Sequence, residues 1–229
     1  MSGWVHRWAI GTGRGPGIGD DGGVAAVDLH PLPVTRDPWR RVPQLLVGLV
    51  LFGTSMALQI RAGLGLNPWD VLHEGLTAHA PWSFGVTTAI TGVLVLLLWI
   101  PLRQRPGIGT VANVLVIAVA VDAGLAIVPE QHALVARIAM MVGGILLNGV
   151  ATALYVGARL GPGPRDGLMT GVAARTGCSI RAVRTGIEVL VLAAGWLLGG
   201  TVGVATVLYA VAIGPLTQLF LPFLAVRER

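Results

Sequence analysis

The sequence predicts an all-α membrane protein of six transmembrane helices, arranged as two inverted three-helix repeats, each with an additional short half-helix. Three observations predict it. Apolar residues make up 54% of the 229 and charged residues only 12%, with a mean hydropathy of +0.75, far outside the range of a soluble domain. The chain also repeats itself: GLGLNPWDVL at 63–72 returns as RLGPGPRDGL at 159–168, so that Asp166 follows Asp70 by 96 positions. Finally, the arginines are distributed unevenly between the two ends of the apolar segments, as membrane orientation requires.

Residues 1–38 are rich in Gly and Pro and lack apolar periodicity, which predicts a disordered cytoplasmic tail that cannot bury enough surface to order itself. Gly17, Gly19 and Gly22 have the GxGxxG spacing, but no strand precedes them and no helix follows, so they form no dinucleotide loop. The WVHRWAI run is too short and too polar for the core of a signal peptide. Residues 39–229 form a single membrane domain.

A span needs about 20 helical residues to cross a hydrocarbon core of about 30 Å. The first is residues 42–60. The opening motif follows, with Asn67 placed to cap a helix beginning at Pro68, where a missing N–H costs nothing, and Asp70 in the favoured first turn. That helix runs only to Ala80 and Pro81, about 12 residues or ~18 Å, and carries His73, Glu74 and His79. It is too short to span and too polar to face lipid, so it either enters the protein interior as a half-helix or lies at the interface. Spans at 83–102 and 108–128 complete the first repeat, about 41–128.

The polar stretch 129–136 links it to the second repeat, about 137–224. At the same offset Arg41 meets Arg137, Gly48 meets Gly144, Gly53 meets Gly149, and GIGTV at 107–111 meets GVATV at 203–207, all without a gap. The second repeat holds a span at 134–156, a half-helix from Gly163 and Pro164 to Thr176 and Gly177, and spans at 183–198 and 202–224. The uncharged stretch 189–226 is too long for one helix, so GGTVG at 199–203 is its turn.

With non-crossing half-helices the termini share one side. Every arginine from Arg36 onward then falls on that side except Arg61 and Arg137, which obeys the positive-inside rule; eight crossings would put Arg103, Arg105, Arg159 and Arg165 outside.

All 16 basic residues are Arg, for a net charge of +5. They bracket apolar spans rather than cluster on a solvated face, which excludes nucleic-acid binding. The lone Cys178 excludes an intramolecular disulfide and a Cys-based metal site. His73-Glu74 lacks a second metal-spaced His and no GxSxG occurs, so no catalytic residue, metal ligand or cofactor is assigned and the protein is read as a non-enzyme.

Paired short helices in inverted repeats belong to transporters and channels, where half-helix N-termini aim partial positive charge at a mid-membrane site. The substrate-path candidates are accordingly Asn67, Pro68, Asp70 and Glu74 in the first repeat, Pro164, Arg165 and Asp166 in the second, and Asp122, a carboxyl within the third span. The competing reading is that the Pro-Asp pairs only cap two interfacial helices. Arg184 and Glu188, four apart on one helix, form an ion pair, and Asn113 and Asn148 join helices by hydrogen bonds.

The stretches GLGLNPWDVLHEGL, WIPLRQRPGIGTVANV, YVGARLGPGPRDGLMTGVAARTG and RTGIEVLVLAAGWLLGGTVGVATV carry a resemblance covering about 42–220. They are similar to the bacterial YczE-type membrane proteins, relatives of the YitT integral membrane family. That resemblance implies a multi-pass bacterial inner-membrane protein and supplies no substrate. Two functions follow as expectations: a secondary transporter or channel for a small polar or anionic solute, or a non-conducting accessory or regulatory membrane protein. The lipid bilayer is the expected partner, and self-association is left open.

Overall fold

The computed structural model describes residues 31–226, which hold eight α-helices and no strand. They are α1 (Pro38–Ala62), α2 (Pro68–Thr77), α3 (Phe84–Leu102), α4 (Ile108–Ile127), α5 (Leu134–Gly157), α6 (Pro164–Thr176), α7 (Ile180–Leu197) and α8 (Val204–Leu224). Each helix of the second four starts 96 residues after its counterpart: 134 against 38, 164 against 68, 180 against 84 and 204 against 108. The tail expected over 1–38 lies outside the described residues up to position 30, as do Gly17, Gly19 and Gly22.

Five helices, α1, α3, α4, α5 and α8, are long and apolar enough to cross a membrane. The sixth expected span falls on the 18-residue α7, but Arg181, Arg184 and Glu188 lie within it, and it is not among the helices that qualify. It starts earlier than expected because Ser179 accepts a hydrogen bond from Ala182 N and sets the N-terminus there. The two short helices, of 10 and 13 residues, both begin on the proline the sequence marks.

Matched residues do matched work. α1 packs on α5 because Gly48 lets Tyr155 N and Leu154 Cβ approach, while Gly144 does the same for Ser55 O and Gln59 Cγ. Gly53 seats α1 on α4 at Ala120, and Gly149 seats α5 on α8 at Leu216. The core between these helices is filled by Leu45, Leu49, Phe52 and Met56 with Ile117, Val121 and Ala151. The arginine pair repeats the pattern. Arg41 is fully buried and donates from Nε and Nη2 to the carbonyls of Ala158 and Arg159 at 2.9 Å; Arg137 donates from the same atoms to Ala62 and Gly63 at 2.7 Å. Each closes off the orphan carbonyls at the end of the other repeat's first helix.

The short helices pack across the repeat boundary, α2 on α7 and α6 on α3. Both ends of α2 meet one turn: Leu66 N bonds Thr201 O before the helix, Ala205 N bonds Leu64 O, and Glu74 within it accepts from Thr201 N. The α3–α4 turn holds α6 likewise, through Gly109 N to Leu160 O before it and Arg175 to Pro101 O near its end. Gly65 and Gly161, at φ +110° and +127°, allow these entries, since neither conformation suits a residue with a side chain and an added Cβ on Gly65 would meet Gly203 Cα at 2.8 Å.

Candidate functional site

The N-terminus of α2 is a capped first turn closed on itself. Asn67 Oδ1 accepts from Asp70 N at 3.1 Å, and its Nδ2 donates to Asp70 Oδ2 at 2.5 Å. Both side chains are buried, Asp70 completely. Its other oxygen, Oδ1, has no hydrogen bond; His73 Nδ1 lies 3.4 Å away and Arg165 Nη2 3.7 Å away. Neither distance satisfies a carboxylate oxygen that burial has stripped of water. Replacing Asn67 by Ala removes the cap and one partner of Asp70, and a thermal melt in detergent should register a loss of about 1 kcal/mol or somewhat more.

Arg165 is the residue that matches Trp69 in the repeat, and the two meet: the guanidinium carbon lies 5.0 Å from the Trp69 ring centroid. The first turns of α2 and α6 are therefore in contact, with a cation from one presented to the carboxylate and the aromatic face of the other. His73 is almost wholly buried, faces Thr88 Oγ1 at 3.3 Å, and sits edge-on to Phe84. On α6 the cap position is Gly163, which offers no side chain, and Asp166 Oδ2 instead accepts from Tyr155 OH at 3.2 Å. Trp99 Nε1 donates to Pro164 O at 3.0 Å and lays its ring against Gly167. Nearby, Asn148 donates to Ser55 Oγ at 2.7 Å and accepts from Tyr209 OH at 2.9 Å, so it joins α5 to α1 and α8.

Of the residues singled out in the sequence, Asn67, Pro68, Asp70 and Arg165 come together where the short helices begin, and Pro164 and Asp166 belong to the same turn of α6 as Arg165. Glu74 and Asp122 are engaged elsewhere. Glu74 accepts from Thr201 N, and Asp122 caps α3, accepting from Gly85 N at 2.7 Å and from Ser83 Oγ. Arg184 and Glu188 pair at 2.9 Å. Sequence reasoning passed over Tyr155 and Tyr209, and saw in Trp69 only the residue that Arg165 replaces at the matched position. The chain has only two tyrosines, and a hydroxyl on an otherwise apolar span needs a buried partner, a signal sufficient to find both. Among the described residues no cluster of three His, Cys, Asp or Glu side chains could hold a metal ion.

Residues 39–222 match a family of unknown function, DUF6198. The chain is similar to an uncharacterized protein of Haemophilus influenzae, 40% identical over 82% of this chain and 86% of that one. It is also similar to the uncharacterized membrane protein YczE of Bacillus subtilis, 34% identical over 76% and 82%, and to the uncharacterized protein YyaS of the same organism, 24% identical over 77% and 90%. No solved structure matches.

Proposed function

The chain belongs to the DUF6198 family, whose relatives include a named membrane protein, and from that premise we propose that it is a secondary transporter for a small polar or anionic solute. The solute moves between two inverted repeats of three crossings each, with α2 and α6 as half-helices whose N-termini meet at mid-membrane. The termini lie in the cytoplasm and the membrane is the bacterial inner membrane. No chemistry is done on the solute.

The carrying observation is the buried carboxylate oxygen of Asp70, which lacks a hydrogen bond and faces Arg165 across the junction of the two first turns. A polar atom left open in that position is suited to a water, a proton or a solute group, and broken helices in related repeats are the usual construction of such sites. Two further observations support the arrangement. The bonds of α2 to Thr201 and of α6 to the 101–109 region support segments that return to the side they entered from. The positive-inside distribution agrees.

Purified protein in proteoliposomes tests this. Uptake of at least one labelled amino acid, organic acid or inorganic anion should be measurable and should fall at least about tenfold in Asp70→Asn and in Arg165→Gln. The complete burial of Asp70 favours the alternative of a non-conducting accessory protein, and folded protein that moves none of these solutes would establish it.

A further inference from the structure

The two repeats differ in one seam. α3 packs closely on α4, whereas α7 scarcely touches α8 and buries only Gly195. The sequence explains the difference position by position. On α3, Gly85 and Gly92 face α4: an added Cβ would lie 2.6 Å from Asp122 Cγ and 3.1 Å from Val114 Cγ2 respectively. The residues 96 positions later are Arg181 and Glu188, and between them Arg184 stands where α3 has Thr88. Two glycines that permit contact are replaced by two long charged side chains that prevent it.

What remains is a cleft of about 130 Å³ lined by Pro68, Arg184, Glu188, Tyr209, Ile213 and neighbouring residues. It lies beside α8, a helix long and apolar enough to cross a membrane. Glu188 sits about 12 Å along α7 from Ile180, at 1.5 Å per residue. With α7 crossing as in the proposed arrangement, charged groups there are costly against hydrocarbon and persist where something polar meets them. Arg184 spends Nε on Glu188, and neither of its Nη groups has a hydrogen bond. Arg181 and Arg175 add positive charge toward the same end of α7.

We propose that the α7–α8 cleft binds an anionic phospholipid, with the phosphate on the free Nη donors of Arg184, reinforced by Arg181, and an acyl chain along Ile213, Ala210 and Pro68. The occupant is a lipid because the cleft joins an arginine of α7 to the apolar side chains of α8, a helix long and apolar enough to cross a membrane, as a headgroup and its chain require. Its volume is well below the ~300 Å³ lower bound of ordinary small-molecule pockets, which suits one end of a chain better than a whole soluble ligand. The site rests on α7 crossing the membrane as proposed above and not on solute movement.

Native mass spectrometry of the full chain, released from nanodiscs of equal phosphatidylglycerol and phosphatidylcholine, tests the proposal. Phosphatidylglycerol should be retained about fivefold over phosphatidylcholine, the effect of one arginine near the headgroups. The double variant Arg184→Gln/Glu188→Gln, which leaves no unpaired charge, should bring the ratio to parity, and Arg184→Lys should keep it. Ala210→Phe, which fills the cleft without touching a charge, should also abolish the retention. Equal retention of both lipids by the unmodified protein overturns the proposal, as does retention unchanged in the double variant or in Ala210→Phe.

Discussion

Asp70→Ala is expected to destabilise the protein by about 3 kcal/mol and to abolish flux. The carboxylate is fully buried, so its removal leaves Asn67 Nδ2 without its acceptor and Arg165 without the anion at 3.7 Å. Breaking a buried pair by deleting one partner costs about 3 to 5 kcal/mol, because the other charge stays behind; Arg165 keeps a side-chain exposure of 26%, which places the effect at the lower end. The repeat supplies an internal control. Asp166 is the matched carboxyl, yet it accepts from the neutral Tyr155 hydroxyl and the Gly163 backbone rather than facing a cation in the same way, and Asp166→Ala should cost about 1 kcal/mol. Equilibrium unfolding in mixed micelles, followed by tryptophan fluorescence, measures both. Asp70→Asn preserves an acceptor for Asn67 but also leaves Arg165 without its anion, so it should cost about 1 kcal/mol less than Asp70→Ala while flux falls.

Gly195→Ala is expected to cost about 2 to 3 kcal/mol although it adds one methyl group. Gly195 is the single buried residue of α7, and its Cβ would lie 2.6 Å from Leu72 Cα and Val71 C. These are backbone atoms of α2, which no rotamer change can move aside, so the cost is that of overpacking with displacement of a whole helix. Because α2 carries Asp70, the same substitution should disturb the first turn and lower flux together with the melting temperature. The matched position on α3 is Trp99, whose ring occupies the space over Gly167. One small and one large residue thus exchange places between the two crossings, and Gly167→Ala should be destabilising for the reciprocal reason.

Much of the fold was legible because it rests on local signals. The ungapped repeat gives helix starts 96 residues apart, although the first and α7 spans expected at 42 and 183 begin at 38 and 180; Pro68 and Pro164 mark the first residues of the short helices; and the uncharged stretch broken by GGTVG gives the turn between α7 and α8. Asn67 as a cap was equally local. The site was legible in its ingredients and not in its pairings. Nothing in either half states that Arg165 reaches Trp69 and Asp70 of the other, since that contact follows from α2 packing on α7 and α6 on α3, a tertiary exchange that periodicity does not encode. Asp122 shows the same limit. Its depth in the third span was readable, but its work as the acceptor for Gly85 N depends on where α3 begins in space. The open seam at α7 is written in the same offset, where Gly85 and Gly92 are matched by Arg181 and Glu188.

The most direct measurement of the central claim, that α2 and α6 turn back while the other helices cross, is labelling of single cysteines by a membrane-impermeant thiol reagent in intact cells. Native Cys178 is exposed between α6 and α7 and should be protected from outside. With Cys178 replaced by Ser, a cysteine at Gln131 in the α4–α5 connection should label and one at Gln104 in the α3–α4 turn should not. Labelling at Gln104 together with protection at Gln131 would mean that the short helices cross, and the inverted arrangement would be wrong.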